Sequence, residues 1–92
     1  MEKSKSIITV VGKDQVGIIA RVTTYLYECN VNIEDISQSI VGGYFNMMMI
    51  VDATQANREF PTLSQELEDL GKRIGVMIKL QREDIFKSMQ RI

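Results

Sequence analysis

The chain has 92 residues, 45% hydrophobic and 25% charged, with a formal net charge of −1 and scattered charges of both signs. That composition describes one globular domain with a real core, and it offers no basic stripe for nucleic acid or an anionic membrane. With no histidine, one cysteine, no apolar run near the ~20 residues of a membrane span and no signal peptide, the expectation is a cytoplasmic protein without disulfide, metal, cofactor or catalytic residues.

Ile7-Ile8-Thr9-Val10-Val11 is β-branched throughout and predicts a buried strand over 5–12. The loop Gly12-Lys13-Asp14-Gln15-Val16-Gly17 follows. Ile18, Ile19, Val22, Leu26 and Cys29 then fall at helical spacing, predicting a helix over about 16–29. Asp14 is the candidate N-cap, and Gly17 removes a side chain where the first turn begins. The result is a helix N-terminus with free amides and a positive dipole end, open to something small and anionic. A plainer reading stands beside it, in which Asp14 only caps the helix and Gly17 only lets helix pack on strand. Cys29, on the buried helix face, reads as a structural thiol. Asn30, which tolerates the left-handed conformation, is the natural stop.

Val31 and Ile33 open the second strand, whereas Ile36, Gln38 and Ile40 take the opposite parity, so a bulge near Glu34-Asp35 is expected. Gly42-Gly43 is the two-residue turn of a tight hairpin. The returning strand, 44–52, is apolar on both parities, which predicts a central strand covered on both faces. Met47 to Met49 read as core and interface filling. Pro61 opens a second helix with Thr62 and Gln65 at capping-box spacing, and Leu63, Leu67, Leu70 and Ile74 form its apolar stripe. Gly75 ends that helix, and Val76, Ile78 and Leu80 alternate with Met77, Lys79 and Gln81 in a last strand. Ile85, Phe86, Met89 and Ile92 then share one side of a short terminal helix over about 83–91.

The order predicts a single α+β domain over 1–92 with its core at about 5–81. This is a ferredoxin-like βαββαβ sandwich, a four-stranded antiparallel sheet with two helices on one face and a C-terminal helix beyond. The terminal helix or a second subunit is the natural cover for the other face. RNA recognition motifs, acylphosphatases and metal chaperones share this topology, and none of them fits. Tyr44 and Phe45 point to opposite faces, the only basic residue of the first loop is Lys13, and a Cys-x-x-Cys pair is lacking.

Val11 to Ile19, followed after one helix by Asn30-Val31-Asn32-Ile33, resembles the signature of ACT domains, regulatory modules that bind amino acids. The stretch Asn32 to Gln38 and the tail Ile85-Phe86-Lys87-Ser88-Met89 are similar to small stand-alone bacterial ACT proteins, relatives of the double-ACT repressors of glycine cleavage. The resemblance implies a ligand site between two subunits. Asp14, Gln15, Val16, Gly17 and Ile18 would supply the loop and first turn, and Asn32 and Ile33 the second strand. Gly12 stands where the serine-sensing version has histidine, and Asp14 where it has asparagine, so serine specificity is not implied.

The reading is therefore a non-catalytic regulatory domain that binds an amino acid or similar small metabolite at a homodimer interface. The edge containing Val31 to Ile36 and the first helix would meet their symmetry mates there. The competing reading is a ligand-free adaptor that contacts a separate protein partner through Ile85, Phe86, Met89 and Ile92.

Overall fold

Hydrophobic alternation and helical periodicity resolve into six elements in the computed structural model, which describes residues 5–83. They are β1 (Lys5–Lys13), α1 (Ile18–Glu28), β2 (Asn32–Val41), β3 (Tyr44–Asp52), α2 (Phe60–Ile74) and β4 (Val76–Arg82). The strands lie in the order β2-β3-β1-β4, each antiparallel to its neighbours. This is the ferredoxin-like βαββαβ sandwich that the element order predicts. The expected helix over 83–91 falls almost wholly outside the described residues.

Strand parity divides the sheet. Ile8 and Val10 of β1 stand opposite Met49 and Met47 of β3 and opposite Leu80 and Ile78 of β4. These residues are buried against Ile18, Val22 and Leu26 of α1 and Leu63, Leu67 and Leu70 of α2. The other parity behaves differently. Ile7 is buried there, but Val11, Met48 and Met77 are exposed, so β3 is central in the sheet without being covered evenly on both faces. Met47 and Met49 fill the core as expected, while Met48 stands on the open face.

Local chemistry places the ends of the elements. Asn30 adopts φ 60° and donates from Nδ2 to the Gln55 carbonyl at 2.8 Å, which secures the left-handed stop after α1. The register of β2 on β3 shifts between Ile33 and Asp35, leaving Glu34 as the extra residue of the expected bulge. Lys5 holds that residue with an ion pair of 2.6 Å, and the same bond raises the Lys5 ammonium above its ordinary pKa. Gly42 and Gly43 both have positive φ, 59° and 84°, the combination a two-residue hairpin turn requires.

Two helix starts differ from expectation. Helix α1 begins at Ile18 with Gly17 at the N-cap in the left-handed region, so Asp14 is not its cap. The Asp14 amide is instead tied to the Gly43 carbonyl at 2.9 Å, which holds residue 14 against the hairpin and away from the helix axis. Helix α2 begins at Phe60 with Glu59 at the N-cap and no side-chain cap, so the Thr62–Gln65 box does not form. Pro61 suits the first turn, Thr62 therefore lies inside the helix, and Gln65 bonds Asp69 at 3.1 Å instead.

Helix α2 sits tight on β4. A Cβ built on Gly71 would meet the Val76 carbonyl oxygen at 2.7 Å and Ile78 Cγ1 at 3.1 Å, so only glycine allows this approach. The two helices are joined by a polar bridge. Tyr25 donates to Glu66 at 2.7 Å, and Arg58 pairs with the same carboxylate oxygen at 2.9 Å. Arg58 also reaches the buried Cys29 sulfur at 3.6 Å. Burial first, and then the bond to Glu66, push the Tyr25 phenol well above its ordinary pKa.

Candidate functional site

The loop after β1 is drawn toward α2. Gln15 donates from Nε2 to the Ile74 carbonyl at 2.8 Å, so its side chain closes the C-terminal end of α2 and leaves its amide oxygen as the polar atom for a visitor. Val16 is fully exposed at 100% and packs on nothing among the described residues. Gly17 takes φ 93°, and the first main-chain bond of α1 runs from the Arg21 amide to the Gly17 carbonyl at 3.0 Å. The amides ahead of Arg21 have no intrahelical acceptor, and no side chain caps them. Ile18 buries its side chain in the core, so only its main chain faces the loop.

These residues line a cleft of about 170 Å³ together with Arg21, Arg73 and Ile74. The two arginines were not among the candidates drawn from the sequence. Arg21 lies one turn beyond Gly17, and Arg73 belongs to the last turn of α2, where its charge also complements that helix's dipole. Neither guanidinium has a carboxylate partner among the described residues. The cleft thus lies between the positive end of α1 and the negative end of α2, with two arginines on its wall that have no carboxylate partner among the described residues. Arg21 was legible as a basic residue in the first helix, whereas nothing local to Arg73 links it to Gly17.

Asn32 and Ile33 lie elsewhere in the domain. Asn32 stands opposite Asp52, which stands opposite Lys5 at the start of β1; Val41 stands opposite Tyr44, which stands opposite Lys13 at its end. Eight residue steps of β1 separate those levels, roughly 27 Å at the rise of an antiparallel strand. Asn32 lines its own cleft of about 340 Å³ with Tyr27, Asn30, Val31, Asp52 and Gln55. A single chain therefore brings Gln15, Val16, Gly17 and Ile18 together in one cleft, leaves Asp14 outside its lining, and does not bring any of these to Asn32 and Ile33. Among the described residues no group of three His, Cys, Asp or Glu side chains has the arrangement of a metal site, and no helix is long and apolar enough to cross a membrane.

The edge formed by β2 carries the remaining signal. Ile36 and Ile40 stand opposite the buried Met49 and Phe45, hence on the helix-bearing face, yet they are 42% and 58% exposed. Helix α1 leaves them uncovered and presents Ile19 and Tyr27 as exposed residues of its own.

Comparison with known proteins places this architecture. A family model described as ACT domain matches residues 5–81. A UPF0237 protein of Bifidobacterium longum is 62% identical over 89 residues, covering 97% of this chain and 99% of the relative. An ACT domain protein from Streptococcus pneumoniae superimposes with a TM-score of 0.81 at 41% identity, covering 92% of this chain and 96% of that one. A putative glycine cleavage system transcriptional repressor shares the fold, with a TM-score of 0.77 at 23% identity over 89% of this chain and 47% of that chain.

Proposed function

The chain belongs to the ACT domain family, a fold of regulatory ligand-binding domains, and from that premise we propose that it is a cytoplasmic, non-catalytic sensor of an amino acid or similarly small zwitterion. The observation that carries the reading is the cleft beside Gly17, whose walls offer both signs. The free amides of α1 with Arg21 and Arg73 suit a carboxylate. The carbonyl end of α2 suits an ammonium, whereas Asp14, the acidic candidate drawn from the sequence, is not part of the cleft wall. A volume of about 170 Å³ holds a small metabolite and is below the ~300–1,000 Å³ of sites for drug-sized ligands.

A two-fold through the β2 edge completes this reading. Antiparallel pairing of β2 with a second β2 sets the Asn32 end of one strand beside the Val41 end of the other, level with the partner's Gly43 and the loop bonded to it. Asn32 and Ile33 then approach the partner's loop across the seam, and the same pairing covers Ile36, Ile40 and the exposed residues of α1. Ligand held by both subunits would couple occupancy to their relative orientation.

A thermal-shift screen against amino acids and common metabolites tests the proposal, with Gly17→Leu and Asn32→Ala as paired variants. A ligand at 100 times its Kd stabilises the fold by about 2.7 kcal/mol, a rise on the order of 10–20 °C for a domain this small. Both variants are expected to lose the shift while remaining folded. A ligand that stabilises both as it does the native chain binds elsewhere, and silence across the screen removes the sensor reading.

A further inference from the structure

A groove of about 630 Å³ runs along the outer edge of β4, which no strand among the described residues pairs, at the opposite side of the sheet from β2 and outside the cleft just described. Five consecutive residues, Val76 to Leu80, line it. Successive residues of a strand point to opposite faces, so a cavity touching all five is the edge itself, opening onto main-chain groups as well as side chains. Its ceiling is one line of α2, made by Ser64, Glu68, Gly71 and Lys72, and its floor on the open face is Val11 with Met77. Gly71 brings the ceiling down onto the strand, so α2 overhangs the edge as a shelf.

The two edges of the sheet are not alike. The bulge at Glu34 breaks the regularity of β2, whereas β4 runs in unbroken register with β1 over seven pairs, without bulge or proline. An exposed, regular edge beside an apolar groove is a template for another strand, since a row of main-chain donors and acceptors at strand spacing is matched by a strand and poorly by a compact molecule. The charge on the rim selects the occupant. Lys79 has no carboxylate partner among the described residues, and Lys72 meets Glu68 only at 3.9 Å on an exposed surface. Self-pairing of two β4 edges about a two-fold near their middle would set Lys79 against its own copy, which like-charge pairing disfavours.

We propose that the β4 edge and its α2 shelf form a strand-addition site for an extended segment of a separate protein, one that alternates apolar residues with acidic ones. The apolar residues fill the space between the shelf and β4, the acidic residues lie on the open face beside Lys79, and Lys72 on the shelf adds only its longer-range charge. This surface is independent of the metabolite cleft and gives a domain of this kind a contact through which to reach a partner.

The probes are three fluorescein-labelled ten-residue peptides: one alternating valine with glutamate, one alternating valine with lysine, and one alternating glycine with glutamate. Fluorescence anisotropy with the full chain is expected to show saturable binding of the first and at least tenfold weaker binding of the other two. The double variant Lys72→Glu, Lys79→Glu changes only exposed residues and is expected to reverse the preference between the glutamate and lysine peptides. Two further forms of the first peptide, N-methylated on odd or on even residues, separate strand addition from adhesion, because an added strand bonds through alternate amides. One form is expected to bind and the other to fail. Equal tolerance of both forms, an unchanged preference in the double variant, or no binding of the first peptide at 100 μM overturns the proposal. So does protection of β2 amides, rather than those of 76–82, in hydrogen exchange with the first peptide bound.

Discussion

Replacing Gly71 by alanine sets two effects of known size against each other. Glycine within a helix costs about 1 kcal/mol relative to alanine, so propensity alone makes Gly71→Ala stabilising by that amount. The new methyl group would lie 2.7 Å from the Val76 carbonyl oxygen, 3.1 Å from Ile78 Cγ1 and 3.2 Å from the Ile78 amide nitrogen. Two of those three atoms are main chain and cannot rotate aside, so α2 must withdraw from β4 by roughly half an ångström or more. Leu63, Leu67 and Leu70 travel with it, and a gap of that size forfeits a quarter or more of the dispersion energy at each affected contact. Overpacking of this kind costs about 1–3 kcal/mol, and at a main-chain contact the upper half of that range applies. The steric term wins. A net loss of about 1–2 kcal/mol is expected, which lowers the Tm by roughly 5–15 °C for a domain of this length. Urea unfolding followed by circular dichroism should show a lower midpoint at unchanged slope. Thr24→Ala, at an exposed position of α1, serves as the control and is expected to gain a few tenths of a kcal/mol. If Gly71→Ala is as stable as the native chain or more so, α2 does not sit on β4 as closely as described.

Asn30→Ala is expected to cost about 1–3 kcal/mol, because alanine at φ 60° is strained and the bond to the Gln55 carbonyl is lost, and Asn30→Gly should recover the conformational part; equal midpoints for the two variants would refute the division. The Tyr25 phenol has a raised pKa, so the stability tied to its protonated form is fully present below its ordinary value of 10.0 and is lost as pH rises through the higher folded value. The stability difference between the native chain and Tyr25→Phe should therefore shrink from pH 9 upward past that ordinary value, and a difference that grows would refute the assignment. Ile40→Asp places a charge on an exposed β2 residue of the proposed seam, and analytical ultracentrifugation should show it dissociating a dimer while the monomer fold, read by circular dichroism, persists; an unchanged dimer places the seam elsewhere.

Much of the architecture was legible because it rests on short-range chemistry. The change of parity between Ile33 and Ile36 announces a bulge, since a strand cannot bury both sets without an extra residue, and the register shift falls there. Asn30 and the Gly42-Gly43 pair lie where the chain must take positive φ, and their residue types say so before any contact is known. The apolar stripes of both helices followed from periodicity and, apart from Ile19, which is exposed on α1, they form the core or pack against it. Each of these features is decided within about ten residues of chain.

What the tertiary structure decided involves residues far apart in sequence. Asp14 has the chemistry of a cap, but its amide is held by Gly43 and the next residue is pulled to the end of α2, so the helix starts three residues later than capping preference implies. Arg73 joins the cleft beside Gly17 only because α2 packs antiparallel to β4 and ends level with the first loop. Asn32 lies at the far end of the sheet from that loop, although the two are separated by a single helix in the chain. A helix that crosses back over the sheet carries the chain the length of the domain, and sequence proximity says nothing about which end it reaches. The pattern of side chains determined which faces are buried; the packing of those faces determined which polar groups were left to meet.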